Sequence, residues 1–140
     1  MSVAYLEIAD FLLIAEAVLG IPAERLALSD PLVGLAEVAL DAPAEAFEGV
    51  DFHPERSQKA AILFSRLVHG HPLSVGNTRT AYLCLIEFLA RNGRVWRLPR
   101  DQAEEDEVVA AIALLVAGEL PETEFVDWVG TYLASPAKKE

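Results

Sequence analysis

Residues 57–91 read SQKAAILFSRLVHGHPLSVGNTRTAYLCLIEFLAR, and this stretch decides the fold. Apolar residues recur at helical spacing on both sides of a short loop in its middle. The first half is apolar over a wide face, and residues 81–86 are apolar on every side. Such breadth is typical of helices inside a bundle. The stretch therefore predicts two central helices, and Gly70 and Pro72 mark the end of the first.

The same helical spacing continues toward both ends of the chain. Gly20 followed by Pro22 predicts the end of a first helix, because glycine suits a C-terminal cap and proline cannot continue the helix. Residues 29–31 read Ser-Asp-Pro, which predicts a capped helix start. Two further helices are expected to begin near Asp101 and Pro121.

Strand-like alternation is nearly absent from the sequence, so the predicted fold class is all-α. Residues 44–53 show turn residues and no period, and we expect them to form a loop. We predict one compact bundle of about six helices in a single domain, residues 1–140. Its core is expected over about residues 5–133, and residues 134–140 are expected to form a frayed tail.

The composition excludes several classes of protein. The 53% hydrophobic residues exclude a disordered chain, and the net charge of −11 disfavours direct binding to DNA. The longest apolar run, residues 108–117, is about half of a membrane span, and the N-terminus lacks the basic start of a secretory signal. We therefore expect a cytoplasmic protein with no membrane partner. The single cysteine, Cys84, is expected to be a buried thiol.

The loop between the two central helices carries the candidate chemistry. Gly76 permits a close backbone approach, and Asn77 is expected to cap the following helix. The free N–H groups of that helix start, together with Arg79, form a candidate anion site. His71 lies across the same loop and is suited to proton transfer. These residues suggest phosphoryl or nucleotidyl transfer, but glycine and asparagine are also ordinary residues at a helix start.

Residues 71–81 read HPLSVGNTRTA and resemble the loop of the Fic/Doc family. The family pattern is His-Pro-Phe-x-[Asp/Glu]-Gly-Asn-[Gly/Lys]-Arg, followed by Thr-Ala in Doc-type (death-on-curing) members. The segments 29–40, 58–67 and 88–93 are also similar to Doc-like toxins. The resemblance thus covers most of the chain.

The resemblance implies a fold, an activity and partners. It implies a helical Doc-like toxin of a bacterial toxin–antitoxin pair that transfers a phosphoryl group from ATP to a hydroxyl of a target protein such as elongation factor Tu. A Phd-like antitoxin is the implied partner, and ATP with magnesium the implied cofactor. His71 falls on the general base of the family loop. The phosphate-binding positions fall on Gly76, Asn77, Thr78 and Arg79.

Three positions depart from the family pattern. Leu73 replaces an aromatic residue, which is a mild change between apolar side chains. Val75 replaces the acidic residue that holds magnesium, and valine has no oxygen to offer a hard cation. Thr78 replaces lysine or glycine and carries no charge. These departures favour an alternative in which the chain is a catalytically degenerate binding module of the same fold.

A third alternative is a protein AMP transferase. AMP-transferring members carry a second arginine at the position of Tyr82 and a glycine at the position of Thr78, so phosphoryl transfer ranks first. His69 and Ser74 are candidate auxiliary residues of the phosphate site. No complete set of metal ligands accompanies His69 and His71, so no metal ligand is assigned among these residues.

Overall fold

The computed structural model describes residues 2–134, and helices make up most of this part of the chain. The α-helices of residues 2–134 are α1 (Ile8–Leu19), α2 (Ala23–Leu26), α3 (Asp30–Asp41), α4 (Arg56–Gly70), α5 (Asn77–Arg91), α6 (Gln102–Val116) and α7 (Glu122–Ala134). A 3-10 turn (Ala42–Ala44) and two short strands, β1 (Ala46–Phe47) and β2 (Val50–Asp51), lie between α3 and α4. The predicted all-α class is confirmed.

Helix α4 lies at the centre of the bundle and packs against α3, α5, α6 and α7. Most of its side chains are buried, including Leu63, Phe64 and Leu67. Phe64 stacks on Phe125 of α7, with ring centroids 5.5 Å apart. Helix α5 packs on α4 and α1 through a buried face that includes Phe88. The two central helices predicted from the sequence are therefore confirmed.

The helices begin and end where local chemistry favours it. Gly20 ends α1 in the left-handed conformation, with a φ of 73°. The Ser29 side chain accepts a hydrogen bond from the Leu32 N–H at the start of α3. Asp101 caps α6 by accepting from the Glu104 N–H. These caps match the boundaries expected from the sequence to within one or two residues.

One expectation about the fold needs correction, and one short helix was not anticipated. Residues 44–53 are not a plain loop, because β1 and β2 pair antiparallel across the positive-φ residues Glu48 and Gly49. Lys59, which is buried in α4, holds this hairpin by contacting Asp51 Oδ2 at 2.8 Å and Pro43 O at 2.9 Å. The single turn α2 is a seventh helix, close to the expected number of about six. It was not predicted, because four residues are too few to show a helical period in the sequence.

Several remaining expectations concern burial and the ends of the chain. Cys84 is buried, and burial raises the pKa of its thiol to about 12. None of the helices within residues 2–134 has the length and apolar character needed to cross a membrane. Ala134 closes α7, and the rest of the expected frayed tail, residues 135–140, lies outside the described residues.

Candidate functional site

The candidate site is the turn that connects the two central helices. Helix α4 ends at Gly70, and its C-cap residue His71 adopts a left-handed conformation with a φ of 48°. This conformation is unusual for a residue with a side chain, and it directly precedes Pro72, which disfavours it further. Leu73 is buried and anchors the loop in the core. Leucine thus fills the place that an aromatic residue takes in the family pattern.

Asn77 holds the turn together with its side-chain amide. Its Oδ1 accepts a hydrogen bond from the Leu73 N–H at 2.9 Å, and its Nδ2 donates to the Leu73 carbonyl at 2.8 Å. The same Nδ2 lies 3.1 Å from His71 Nδ1. Asn77 is the first residue of α5 and Gly76 is its N-cap, so the expectation that the Asn77 side chain caps the helix is wrong. The amide instead clamps the loop that precedes the helix.

The Asn77 clamp also determines how the His71 imidazole is protonated. The Leu73 N–H can only donate, so the oxygen of the Asn77 amide must face it. The Asn77 nitrogen therefore faces His71 Nδ1, which must accept. In neutral His71 the proton then lies on Nε2, and the lone pair lies on Nδ1.

Gly76 is required at the start of α5 for two reasons. Its φ is 78°, a conformation that side chains rarely adopt. A Cβ atom there would lie 3.0 Å from Leu19 Cδ2 and 3.4 Å from Val18 Cγ1, at the end of α1. The glycine therefore permits both the backbone conformation and the contact between this turn and α1.

The first turn of α5 presents unpaired donors. The first backbone hydrogen bond of the helix runs from Thr80 N to Gly76 O. The three preceding amides, those of Asn77, Thr78 and Arg79, find no acceptor within the described residues. The exposed Arg79 guanidinium forms no salt bridge there either, although the chain carries 22 acidic residues. A cation at a helix N-terminus is unfavourable by about 0.3–1 kcal/mol. An anion bound at the same turn would make the position of Arg79 favourable.

An apolar pocket opens beside this helix start. Its volume is about 600 Å³. Residues from α5, α6 and the segment between them line it: Thr78, Arg79, Tyr82, Pro99, Glu105, Val108, Val109 and Ile112. The Tyr82 ring packs edge-on against Trp96. The pocket is of the size that holds small organic ligands, and the cation of Arg79 is part of its lining.

Val75 is exposed in the loop, at the position of the acidic residue in the family pattern. Its side chain has no oxygen, so this position offers no ligand to a metal ion. Among residues 2–134, no three histidine, cysteine or carboxylate side chains come together in a way that could hold a metal. Glu105 is the one carboxylate that lines the pocket. The loop itself does not fit a magnesium ion, and we assign no step to one.

The two auxiliary candidates lie in different surroundings. Ser74 is exposed in the loop. The His69 ring faces α6, where Nε2 donates to the Leu115 carbonyl at 2.8 Å, and its Nδ1 lies 3.5 Å from Ser65 Oγ. His69 thus satisfies a carbonyl at the C-terminal end of α6, where a histidine is favourable.

A partly buried polar network between α4 and α7 was not anticipated from the sequence. Glu122 of α7 accepts two hydrogen bonds from Arg66, at 2.9 and 3.1 Å, and one from Ser65 Oγ at 2.7 Å. Arg66 also contacts Glu45, which accepts from His53. Burial alone would raise the pKa of Glu122, but the bonds from Arg66 and Ser65 hold it below its usual value. These partners are far apart in sequence, so no motif could have indicated them.

Three comparisons with known proteins bear on the identity of the chain. A family model described as the Fic/DOC family matches residues 5–89, which include α1 to α4, the loop and most of α5. A search of curated proteins found no significant match. A search of solved structures also found none. The family match covers more than half of the chain and includes the turn described above. The chain belongs to the Fic/DOC family.

Proposed function

We propose that this chain transfers a phosphoryl group from ATP to a hydroxyl of a target protein. One observation carries the proposal. Three amides and the Arg79 guanidinium, which have no protein partner among residues 2–134, lie in the turn that Asn77 ties to His71. Backbone N–H groups and a guanidinium are the donors that bind phosphate oxygens most strongly. A titratable imidazole beside a phosphate site is the arrangement that hydroxyl activation requires.

In the proposed reaction, ATP supplies the phosphoryl group. The amides of Thr78 and Arg79 and the Arg79 guanidinium hold phosphate oxygens and offset the charge that develops on them. The lone pair of His71 Nδ1 accepts the proton of the target hydroxyl as its oxygen bonds to the γ-phosphorus. The bond from that phosphorus to the β,γ-bridging oxygen breaks, and ADP leaves. The hydroxyl must therefore take the place of the Asn77 amide at Nδ1. Gly76 keeps the backbone close to the phosphates.

The pocket next to Arg79 supports a nucleotide as the donor. Its volume of about 600 Å³ and its mostly apolar walls suit a nucleoside whose phosphates extend toward the α5 turn. Phosphoryl transfer ranks above AMP transfer, because Tyr82 occupies the position of the second arginine of AMP-transferring members. The Tyr82 ring lies in the pocket wall against Trp96, where it offers no charge to a phosphate.

The biological role that we propose follows from the resemblance to Doc-like toxins. The chain would act as the toxin of a toxin–antitoxin pair, held inactive by a Phd-like antitoxin. Elongation factor Tu is the target that the resemblance suggests. The match to the Fic/DOC family supports this role only at the level of the family.

A second candidate is a binding module that holds a nucleotide or a partner without catalysis. Two observations favour it. Val75 leaves the loop without a carboxylate for magnesium, which normally offsets triphosphate charge. The Asn77 amide also occupies Nδ1, the nitrogen of neutral His71 that could accept a proton.

Label transfer distinguishes the candidates. The purified chain is incubated with magnesium, a bacterial lysate containing elongation factor Tu, and ATP labelled at either the γ or the α phosphorus. The controls are His71→Ala and the restored double variant Val75→Asp/Thr78→Lys. The proposal predicts γ-label on a protein, none from the α position, and loss of transfer in His71→Ala.

Each other outcome has a defined meaning. Transfer of the α label would identify an AMP transferase. Transfer by the restored variant alone would identify a binding module with an intact scaffold. No γ transfer by either protein would contradict the proposed activity.

A further inference from the structure

Helix α6 is apolar on faces that the bundle does not cover. Residues 108–117 read VVAAIALLVA, yet only Val108, Ala111 and Leu115 are buried. Val109 is 60% exposed, and Leu114 and Val116 are each more than 40% exposed. A surface helix normally presents charged or polar residues outward. The exposed part of α6 is therefore an apolar surface that no other part of residues 2–134 covers.

Two of these exposed residues, Val109 and Val116, line a groove along α6. We define the α6 groove as the cavity of about 450 Å³ that is lined by Thr78, Val109, Ile112, Ala113, Val116 and Ala117. The α6 positions follow helical spacing, so they form one stripe about 12 Å long at 1.5 Å per residue. The stripe contains two alanines, and small side chains allow another backbone to approach closely. The shape suits two to three turns of a helix.

The charges around the groove indicate what kind of helix fits. Acidic residues flank the stripe at both ends, and three of them, Glu105, Asp106 and Glu119, form no salt bridge within the described residues. A second copy of the chain would bring another net charge of −11 to this surface. Like charges repel, so the surface favours a basic partner.

We propose that the α6 groove binds an amphipathic helix of a partner protein, with an apolar stripe facing α6 and lysine or arginine residues facing the acidic flanks. Apolar residues at i, i+3 or i+4, and i+7 of the partner would contact Val109, Ala113 and Val116. This binding requires neither His71 nor Arg79. If the α6 groove binds no such helix, the result of the label-transfer experiment is therefore unchanged.

A peptide selection tests the proposal. A displayed library of 20-residue amphipathic helices, with acidic and basic members in equal number, is selected on the immobilised full chain. Selected peptides are then titrated against the wild type, Ala113→Arg and Val95→Arg. Both substituted residues are exposed, and both changes add one positive charge, but Val95 is not a groove residue. Circular dichroism verifies that both variants fold.

The proposal predicts that the selection enriches net-positive peptides. These peptides should bind Ala113→Arg at least tenfold more weakly than the wild type, and they should bind Val95→Arg with the wild-type affinity. Failure to enrich any peptide, enrichment of acidic peptides, or equal binding to Ala113→Arg would overturn it. Analytical sedimentation of the wild type tests whether a second copy of the chain occupies the groove. A dimer that Ala113→Arg dissociates and Val95→Arg does not would assign the groove to a second copy and would also overturn the proposal.

Discussion

The side-chain nitrogen of Asn77 lies 3.1 Å from Nδ1 of His71, across the turn between the two central helices. The same amide makes two hydrogen bonds to the backbone of Leu73. One side chain thereby sets both the shape of the loop and the orientation of the imidazole. A change at Asn77 is expected to alter the behaviour of His71 without any direct change to the histidine.

The tautomer of His71 follows from this contact. We expect neutral His71 to carry its proton on Nε2, because Nδ1 accepts from Asn77. A two-bond proton–nitrogen correlation spectrum, recorded where the ring is neutral, measures the tautomer directly. In Asn77→Ala the preference should weaken toward a mixture. A proton found on Nδ1 in the wild type would contradict the hydrogen-bond assignment.

The left-handed backbone at His71 predicts an unusual order of stability. His71→Gly should be more stable than His71→Ala by about 1 kcal/mol, because alanine, unlike glycine, strains the left-handed conformation. Both variants lack the imidazole, so neither should transfer phosphate. Chemical denaturation measures the difference in the free energy of unfolding.

A helical site provides the matched control for that pair. Ala110→Gly lies at an exposed position inside α6, where glycine should cost about 0.5–1 kcal/mol relative to alanine. If glycine were also the less stable residue at position 71, the left-handed conformation of His71 would be refuted.

Gly76 should tolerate no side chain. Gly76→Ala combines a positive φ with a Cβ only 3.0 Å from Leu19 Cδ2, so we expect a loss of at least about 1–2 kcal/mol in the free energy of unfolding. Gly118 also has a φ of 78° but nothing within 4 Å of its Cβ position. Gly118→Ala should therefore cost less than Gly76→Ala in the same denaturation measurement, and equal losses would show that the contact with α1 contributes nothing.

Glu122 should make stability depend on acid pH. Its pKa is lowered in the folded state, so its contribution is fully present above its usual value of 4.5 and is lost as pH falls through the lowered value. Thermal unfolding from pH 7 to pH 2 should show Glu122→Gln less stable than the wild type at neutral pH, with a difference that shrinks below 4.5. Glu119→Gln, an exposed control, should follow the wild-type curve. A difference that does not change with pH would be inconsistent with the Arg66 and Ser65 hydrogen bonds.

The helices could be predicted from the sequence because their signals are local. Ser29 caps α3 and Gly20 ends α1 as expected, and α6 begins next to Asp101, where a helix start was expected. The hairpin was missed because its strands have two residues each, too few to show alternation. Its turn residues, Glu48 and Gly49, were the one available indication.

The sequence indicated which residues form the candidate site, but not how their side chains are arranged. Residues 71–79 were identified as one candidate site made of a loop and a helix start. The Asn77 side chain was expected to cap α5 and instead clamps Leu73 and His71. Which atoms an amide faces depends on the path of the loop. The contribution of α6 to the pocket was also missed, because residues 108–117 were treated only as a helix too short to span a membrane.

Phosphate binding at the first turn of α5 is the step on which the proposed transfer depends, and a nuclear magnetic resonance titration tests it most directly. Adding ATP to the ¹⁵N-labelled chain should shift the amide signals of Asn77, Thr78 and Arg79 in a saturable way. Arg79→Ala should weaken binding by about tenfold or more, the value of a charge-assisted hydrogen bond. Arg25→Ala, another exposed arginine, should bind as the wild type does. Shifts that spare the first turn of α5, or equal affinity in Arg79→Ala, would contradict a phosphate site at this turn.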